Sequence, residues 1–376
     1  MFKHINMKEK FKEIRGINCY FVLKKIHQTT RKMRRLLILS LSFGLLLGCG
    51  ESKKQDAPGK SDEVVNAFPG LHEKAKTFFG QLPGEATSSS NPITDEKVAL
   101  GKKLYFDNSL SKDNTQSCNT CHNLSTFGVD NKSFSEGNDG GLGGRNSPTT
   151  LNAALHMAQF WDGREPDVEA QAGGPILNPV EMAMPDEASV VEKLADIEGY
   201  AEMFASAFPD QPEITYDNLK KAIGAFERKL ITPSRFDKFL AGDEGALNDT
   251  EKQGLQTYLD AGCTTCHAGN LLGGAMYQKF GLFGDYWEYT KSENVDNGRF
   301  DVTGNETDKY MFKVPSLRNI EKTGPYFHDG SVADLKAAVD IMAKAQVNKE
   351  LTEKELDDIV AFLTTLTGEI PSGLSE

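Results

Sequence analysis

Apolar positions recur at helical spacing in five capped or stripe-bearing segments, and no run of alternating, strand-like pattern competes with them. From Thr94, "TDEKVALGKKLYFD" offers an N-cap, acidic first-turn residues and Val98, Leu100, Leu104 and Tyr105 as its apolar positions. From Asn248, "NDTEKQGLQTYLDAG" repeats that plan, with Asn248 and Glu251 as a capping box and Leu255, Tyr258 and Leu259 on one face. "EITYDNLKKAIGAFERKLI" predicts a helix with the stripe Leu219, Ala222, Ile223 and Phe226. "VADLKAAVDIM" places Leu335, Ala338, Val339 and Met342 on one helix face. "TEKELDDIVAFLTTL" predicts a closing helix, with Thr352 and Glu355 as a capping box and Leu356, Ile359, Val360 and Leu363 apolar. The expected class is mainly α with long loops.

The chain start stands apart from this pattern. "RRLLILSLSFGLLLGC", residues 34 to 49, is a charged pair, an apolar run too short to span a bilayer comfortably, and a small residue before a cysteine. It reads as an export signal with a lipobox-like end, which makes Cys49 a lipidated first residue of the mature chain. Residues 1–48 are expected to be leader, with 33–48 as the true signal, and 49–65 a polar tether. Ahead of Cys49 lie eleven Lys/Arg and two Asp/Glu; removing them from the chain's 42 and 54 leaves a net charge of −21. Nucleic acid is thereby an unfavourable partner, and a basic electron-donor protein a compatible one. With 376 residues there is room for two cores.

Candidate chemistry enters with the cysteines. Cys19 and Cys49 lie in the leader and at its end; the other four form "CNTCH" (Cys118, Cys121, His122) and "CTTCH" (Cys263, Cys266, His267). A single C-x-x-C-H is also compatible with a zinc half-site or a redox dithiol. Two of them in an exported chain favour covalent haem, with each thiol pair on one haem edge and the adjacent imidazole on the iron. Because a capped helix leads into each motif, the organisation reads as tandem cytochrome c-type haem domains over 66–235 and 236–376. For the second iron a thioether is available at Met276, Met311 or Met342, and spacing does not choose among them; a Met on an apolar helix face also reads as core.

From about residue 94 to 364 the chain resembles the bacterial di-haem cytochrome c peroxidase family. The resemblance is carried by "CHNLSTFGVD", "RNSPTTLNA", "QFWDGREPDVEAQAGGPILNPVEM", "KVPSLRNI" and "PYFHDG", in the family's order. It implies an enzyme that reduces hydrogen peroxide, bearing two covalently bound haem c and a calcium ion. It implies Trp161 as a bridge between the haems, and Gln171 and Glu181 as peroxide-pocket residues, Glu181 moving protons. Met342, on a helix starting at "PYFHDG", becomes the second iron's ligand. Asn146, by its side chain, with Thr323 and Pro325, by backbone carbonyls, match the calcium site. The implied partners are peroxide and a small cytochrome c or copper protein, in a periplasmic homodimer that touches membrane only through its lipid.

Many relatives carry a histidine in the loop matching "SEGNDGGLGGRN", which caps the first iron until the other haem is reduced. Here that position is Asn138, and the loop has no histidine. His156, in "LNAALHMAQFWDG", reads as a helix residue away from it. An open first iron that needs no reductive activation is therefore expected. Two alternatives share the architecture: a MauG-like enzyme oxidising side chains of a partner protein, and a non-enzymatic di-haem electron carrier.

Overall fold

The computed structural model describes residues 67–375, so the expected leader, Cys49 and the tether lie outside the described residues. The helices in chain order are α1 (Leu71–Phe78), α2 (Asp95–Tyr105), α3 (Cys118–Cys121), α4 (Val168–Leu177), α5 (Glu187–Ala195), α6 (Tyr200–Ala207) and α7 (Tyr216–Glu227). The second half carries α8 (Arg235–Leu240), α9 (Asp249–Ala261), α10 (Tyr286–Thr290), α11 (Phe300–Thr303), α12 (Leu335–Val347) and α13 (Glu353–Thr364). A short antiparallel pair, β1 (Tyr277–Lys279) with β2 (Met311–Lys313), lies among them.

The caps read from sequence are made. Thr94 accepts from Lys97 N, and both Asn248–Glu251 and Thr352–Glu355 close reciprocal capping boxes. Satisfying these end donors is typically worth about 1 kcal/mol per cap. Helix α12 begins at Leu335 behind the cap Asp334, later than "PYFHDG". The segment expected to hold His156 in a helix is instead a single 3₁₀ turn, Ala153–Leu155, entered from Asn152 at φ 62°. A left-handed residue at that point ends helical propagation.

Two helix pairs form the scaffold, and they are built alike. In α2, a Cβ on Gly101 would sit 1.9 Å from the Ala222 carbonyl oxygen of α7. In α9, a Cβ on Gly254 would sit 1.9 Å from the Asp358 carbonyl oxygen of α13. Only glycine lets these backbones approach so closely. Four residues on, Tyr105 packs on Phe226 and Tyr258 on Phe362, each with ring centroids 5.2 Å apart.

The first core gathers Leu100, Leu104, Ile176, Leu194, Phe204, Leu219 and Ile223. The second gathers Phe236, Phe239, Leu255, Tyr258, Ile359 and Phe362, together with Leu71, Ala75 and Phe79 from α1 and its C-cap. Ile370 and Leu374, near the other end, pack instead beside Tyr105 and Phe226 of the first pair. Both ends of the described chain thus cross the 235/236 division. Within the second core the fully buried Arg318 is held by Asp237, with Nη2 to Oδ1 at 3.0 Å.

Candidate active site

The capping box of Ser117 and Thr120 starts the single turn α3, which carries Cys118 and Cys121, and these two form no disulfide. His122 follows as C-cap. The Tyr105 hydroxyl donates to the His122 carbonyl at 2.6 Å and lies 3.0 Å from Thr150 Oγ1. The second motif repeats the device, with the Tyr258 hydroxyl donating to the His267 carbonyl at 3.0 Å. His267 Nδ1 lies 3.0 Å from the Leu272 carbonyl, which leaves Nε2 as the nitrogen available to a metal.

Burial lowers the pKa of both imidazoles, favouring the neutral form that binds iron. It pushes the Cys118 thiol up to about 12 and Cys263 up to about 11. Reactive dithiols need a depressed thiol, so the redox reading does not fit. Attachment through thioether bonds does, because it removes the buried thiols altogether.

Each motif opens on its own cavity. The first, about 370 Å³, is lined by Cys118, Cys121, His122, Gln171, Glu181 and Glu227. The second, about 240 Å³, is lined by Cys263, Cys266, His267 and Met342. Met342 is therefore the thioether of the three candidates that reaches the second cavity, while Met276 and Met311 do not line it. Trp161 and Asn146 line both cavities. Trp161 is fixed at either side: its indole donates to the Asn146 carbonyl at 2.9 Å, and its own carbonyl accepts from Lys313 N at 2.8 Å.

Helix α4 supplies the polar wall of the first cavity. Gln171, Pro175 and Asn178 follow one another at helical spacing and all line it. After the helix the chain turns sharply, with Glu181 N donating to the Asn178 carbonyl at 2.9 Å, and the Asn178 amide donates back to Glu181 Oε1 at 2.9 Å. Burial raises the Glu181 carboxyl above the ordinary range, partly opposed by the Arg164 guanidinium. The result is a carboxyl that is protonated more readily than a free one, which suits a group that exchanges a proton with a bound molecule.

The glycine-rich loop closes into a hairpin against this turn. Gly137 N donates to the Gly141 carbonyl at 2.8 Å, and Asn138 N to the Glu181 carbonyl at 2.7 Å. A Cβ on Gly137 would lie 2.1 Å from the Val180 oxygen, so the contact depends on glycine. The Asn138 side chain is not among the lining residues; its amide nitrogen donates to Asp113 and Asp139 at 3.1 and 2.9 Å, and its oxygen accepts from Asp113 N at 3.1 Å. At the loop's end Arg145 joins the two halves, with Nη1 on Asp162 and Nη2 2.9 Å from Asp296 Oδ1.

Asn146, Thr323 and Pro325 all line the second cavity. The Asn146 amide nitrogen donates to the Lys132 carbonyl at 2.8 Å, leaving Oδ1 as its remaining acceptor. Among the described residues no three His, Cys, Asp or Glu form a metal cluster. A cation here would rest on uncharged oxygens and water, a set that suits calcium.

Sequence reasoning missed Glu227, which lines the first cavity and which burial pushes up to about 8. It also missed Lys313 and the place of His156, both of which line the second cavity. For the close helix pairs a signal was present: a glycine four residues before the tyrosine in both capped helices.

Two helix pairs of one design, each standing over a C-x-x-C-H cavity, define a di-haem c-type protein. Residues 95–245 match the family model described as di-haem cytochrome c peroxidase, and residues 251–367 match the cytochrome c model. The chain is 47% identical to the cytochrome c551 peroxidase of Nitrosomonas europaea over 80% of its own length and 89% of the relative's. It is 44% identical to the cytochrome c551 peroxidase of Pseudomonas aeruginosa, over 80% and 87%. Among solved structures, that of a MauG-like protein associated with microbial copper homeostasis aligns with a TM-score of 0.70 at 30% identity, covering 78% of this chain and 96% of that one. The chain belongs to the di-haem cytochrome c peroxidase family and carries two haem c.

Proposed function

We propose that the chain reduces hydrogen peroxide to two waters in the first cavity, using two protons and two electrons that arrive through the second from a small cytochrome or copper protein. The observation that carries this is one cavity uniting His122, Gln171 and Glu181, with Trp161 leading to the next. When bound through Cys118, Cys121 and His122 and through Cys263, Cys266, His267 and Met342, the two haems would supply iron redox chemistry for peroxide reduction and electron relay. The Gln171 amide holds peroxide by hydrogen bonding. Glu181 takes the proton from one peroxide oxygen and returns it to the other, so that water rather than hydroxide departs. Asn178 keeps that carboxylate aimed, and Trp161 fills the gap between the two cavities with an aromatic ring.

We also read the first site as open in the oxidised protein. Asn138 is a poor ligand by chemistry, and its amide is spent on Asp113 and Asp139. No reductive step is then needed to admit peroxide. Calcium at Asn146, Thr323 and Pro325, a homodimer, and a periplasmic location with a lipid on Cys49 complete the reading. Oxidation of a partner protein's side chains is a second reading, favoured by the loop without a histidine. Met342 at the second cavity counts against it, because a soft thioether raises the potential and suits an electron-accepting relay.

Steady-state peroxide consumption with a reduced donor cytochrome tests the proposal. Glu181→Gln is expected to lose about 10²- to 10⁴-fold in rate with haem content unchanged; a variant at full rate removes the proton role. Electron paramagnetic resonance of the fully oxidised protein tests the open site, with a high-spin ferric signal expected beside a low-spin one.

A further inference from the structure

Among the described residues that line the second cavity, Lys313 is the one Lys, Arg, Asp or Glu. It is 6% exposed. Burial pushes its ammonium down to about 8, and no neighbouring carboxylate holds it up. Its Nζ lies 2.8 Å from His156 Nδ1. Burial, and then the ammonium itself, hold that imidazole well below its ordinary pKa, so His156 is neutral and accepts the hydrogen bond. The cations on the first cavity are differently placed. Arg145 and Arg164 both pair with Asp162, and Arg145 also with Asp296.

A buried ammonium whose partner is neutral is costly, and it either surrenders its proton or meets an anion. Haem c brings two propionate carboxylates, and this cavity offers them no other charged side chain. We infer that Lys313, steadied by His156, is the seat of a carboxylate of the second haem. The inference rests on the reading that Cys263 and Cys266 anchor a haem in this cavity. Strand β2 fixes the seat, because Lys313 N donates to the Trp161 carbonyl at 2.8 Å. One backbone contact thus ties the cationic seat to Trp161, which lines both cavities. A cation there stabilises the reduced haem, in the same sense as the Met342 thioether.

Redox titration of the two-haem protein at neutral pH, with resonance Raman spectra of the second haem, tests this. Lys313→Met keeps the stem and removes the charge. The second haem's reduction equilibrium is expected to shift tenfold or more toward the oxidised form, about 59 mV for one electron, with a displaced propionate band and an unmoved first haem. Lys313→Arg is expected to keep both properties. An unchanged potential and band in Lys313→Met with both haems bound overturns the seat. If Lys313→Met assembles without its second haem, the unaltered protein decides. A propionate held by an ammonium shifts its band in D₂O, and bands insensitive to D₂O overturn the seat. Haem content of the unaltered protein is a separate check: fewer than two haems per chain defeats the two-haem reading itself.

Discussion

The two haem units share a scaffold and differ in what faces the haem. Gly101 meets Ala222 and Phe226 as Gly254 meets Asp358 and Phe362, which makes Glu227 of α7 the counterpart of Leu363 in α13. Both residues line their own cavities. The first unit gathers Gln171, Glu181 and Glu227, whereas the second presents Met342 and a single lysine. The helix pair and its tyrosine brace the C-x-x-C-H histidine in either unit. The difference comes from Gln171 and Glu181, on a neighbouring helix and the turn after it, and from Glu227 on the pair itself; on the proposed reading this lets one repeated scaffold serve proton-coupled chemistry in one place and electron relay in the other.

If the scaffold is truly repeated, equal insults should cost equal amounts. Gly101→Ala and Gly254→Ala each force a methyl to within 1.9 Å of a facing carbonyl oxygen. Overpacking of this kind costs about 1–3 kcal/mol and occasionally more, and thermal unfolding should fall by similar amounts in both variants. Full tolerance of one alone would break the equivalence. The next effect separates the units. Glu227 has its pKa raised to about 8 by burial, so its contribution to stability is full below the ordinary carboxyl pKa and is lost as pH rises through about 8. Glu227→Gln should therefore match the parent at acid pH and unfold a few degrees higher at alkaline pH. Calorimetry at both extremes checks this, and parallel curves would remove the buried carboxyl from the comparison. Smallest is the tyrosine pair: Tyr105→Phe and Tyr258→Phe each lose a hydroxyl bond to a histidine carbonyl, worth about 0.5–1.5 kcal/mol. Tyr105→Phe should cost more, because Thr150 Oγ1 loses a neighbour as well; chemical denaturation resolves the difference.

What could be read from sequence was local chemistry. The caps at Thr94, Asn248 and Thr352, the apolar stripes and both C-x-x-C-H motifs depend on residues a few positions apart, and all appear as expected. Glu181 and Gln171 were assigned by family resemblance, since a lone carboxylate after a helix has no local mark of function. Lys313 and Glu227 were illegible because their meaning lies in burial beside a distant cavity. His156 was misread because the apolar run around it looks helical, while Asn152 takes a left-handed turn that no periodicity reveals. The two three-residue strands are too short to carry an alternating pattern.

The crossed packing at the two ends of the described residues decides how such a protein can be divided. Helix α1 precedes the first unit but is buried with the second, and the tail around Ile370 and Leu374 follows the second but packs on the first, where Lys102 Nζ donates to the Gly373 carbonyl at 2.8 Å. A cut at the junction would yield two fragments, each lacking a strap that belongs to it and each baring an apolar surface. The described residues are thus fastened across the junction from both sides, and neither half is a self-contained module.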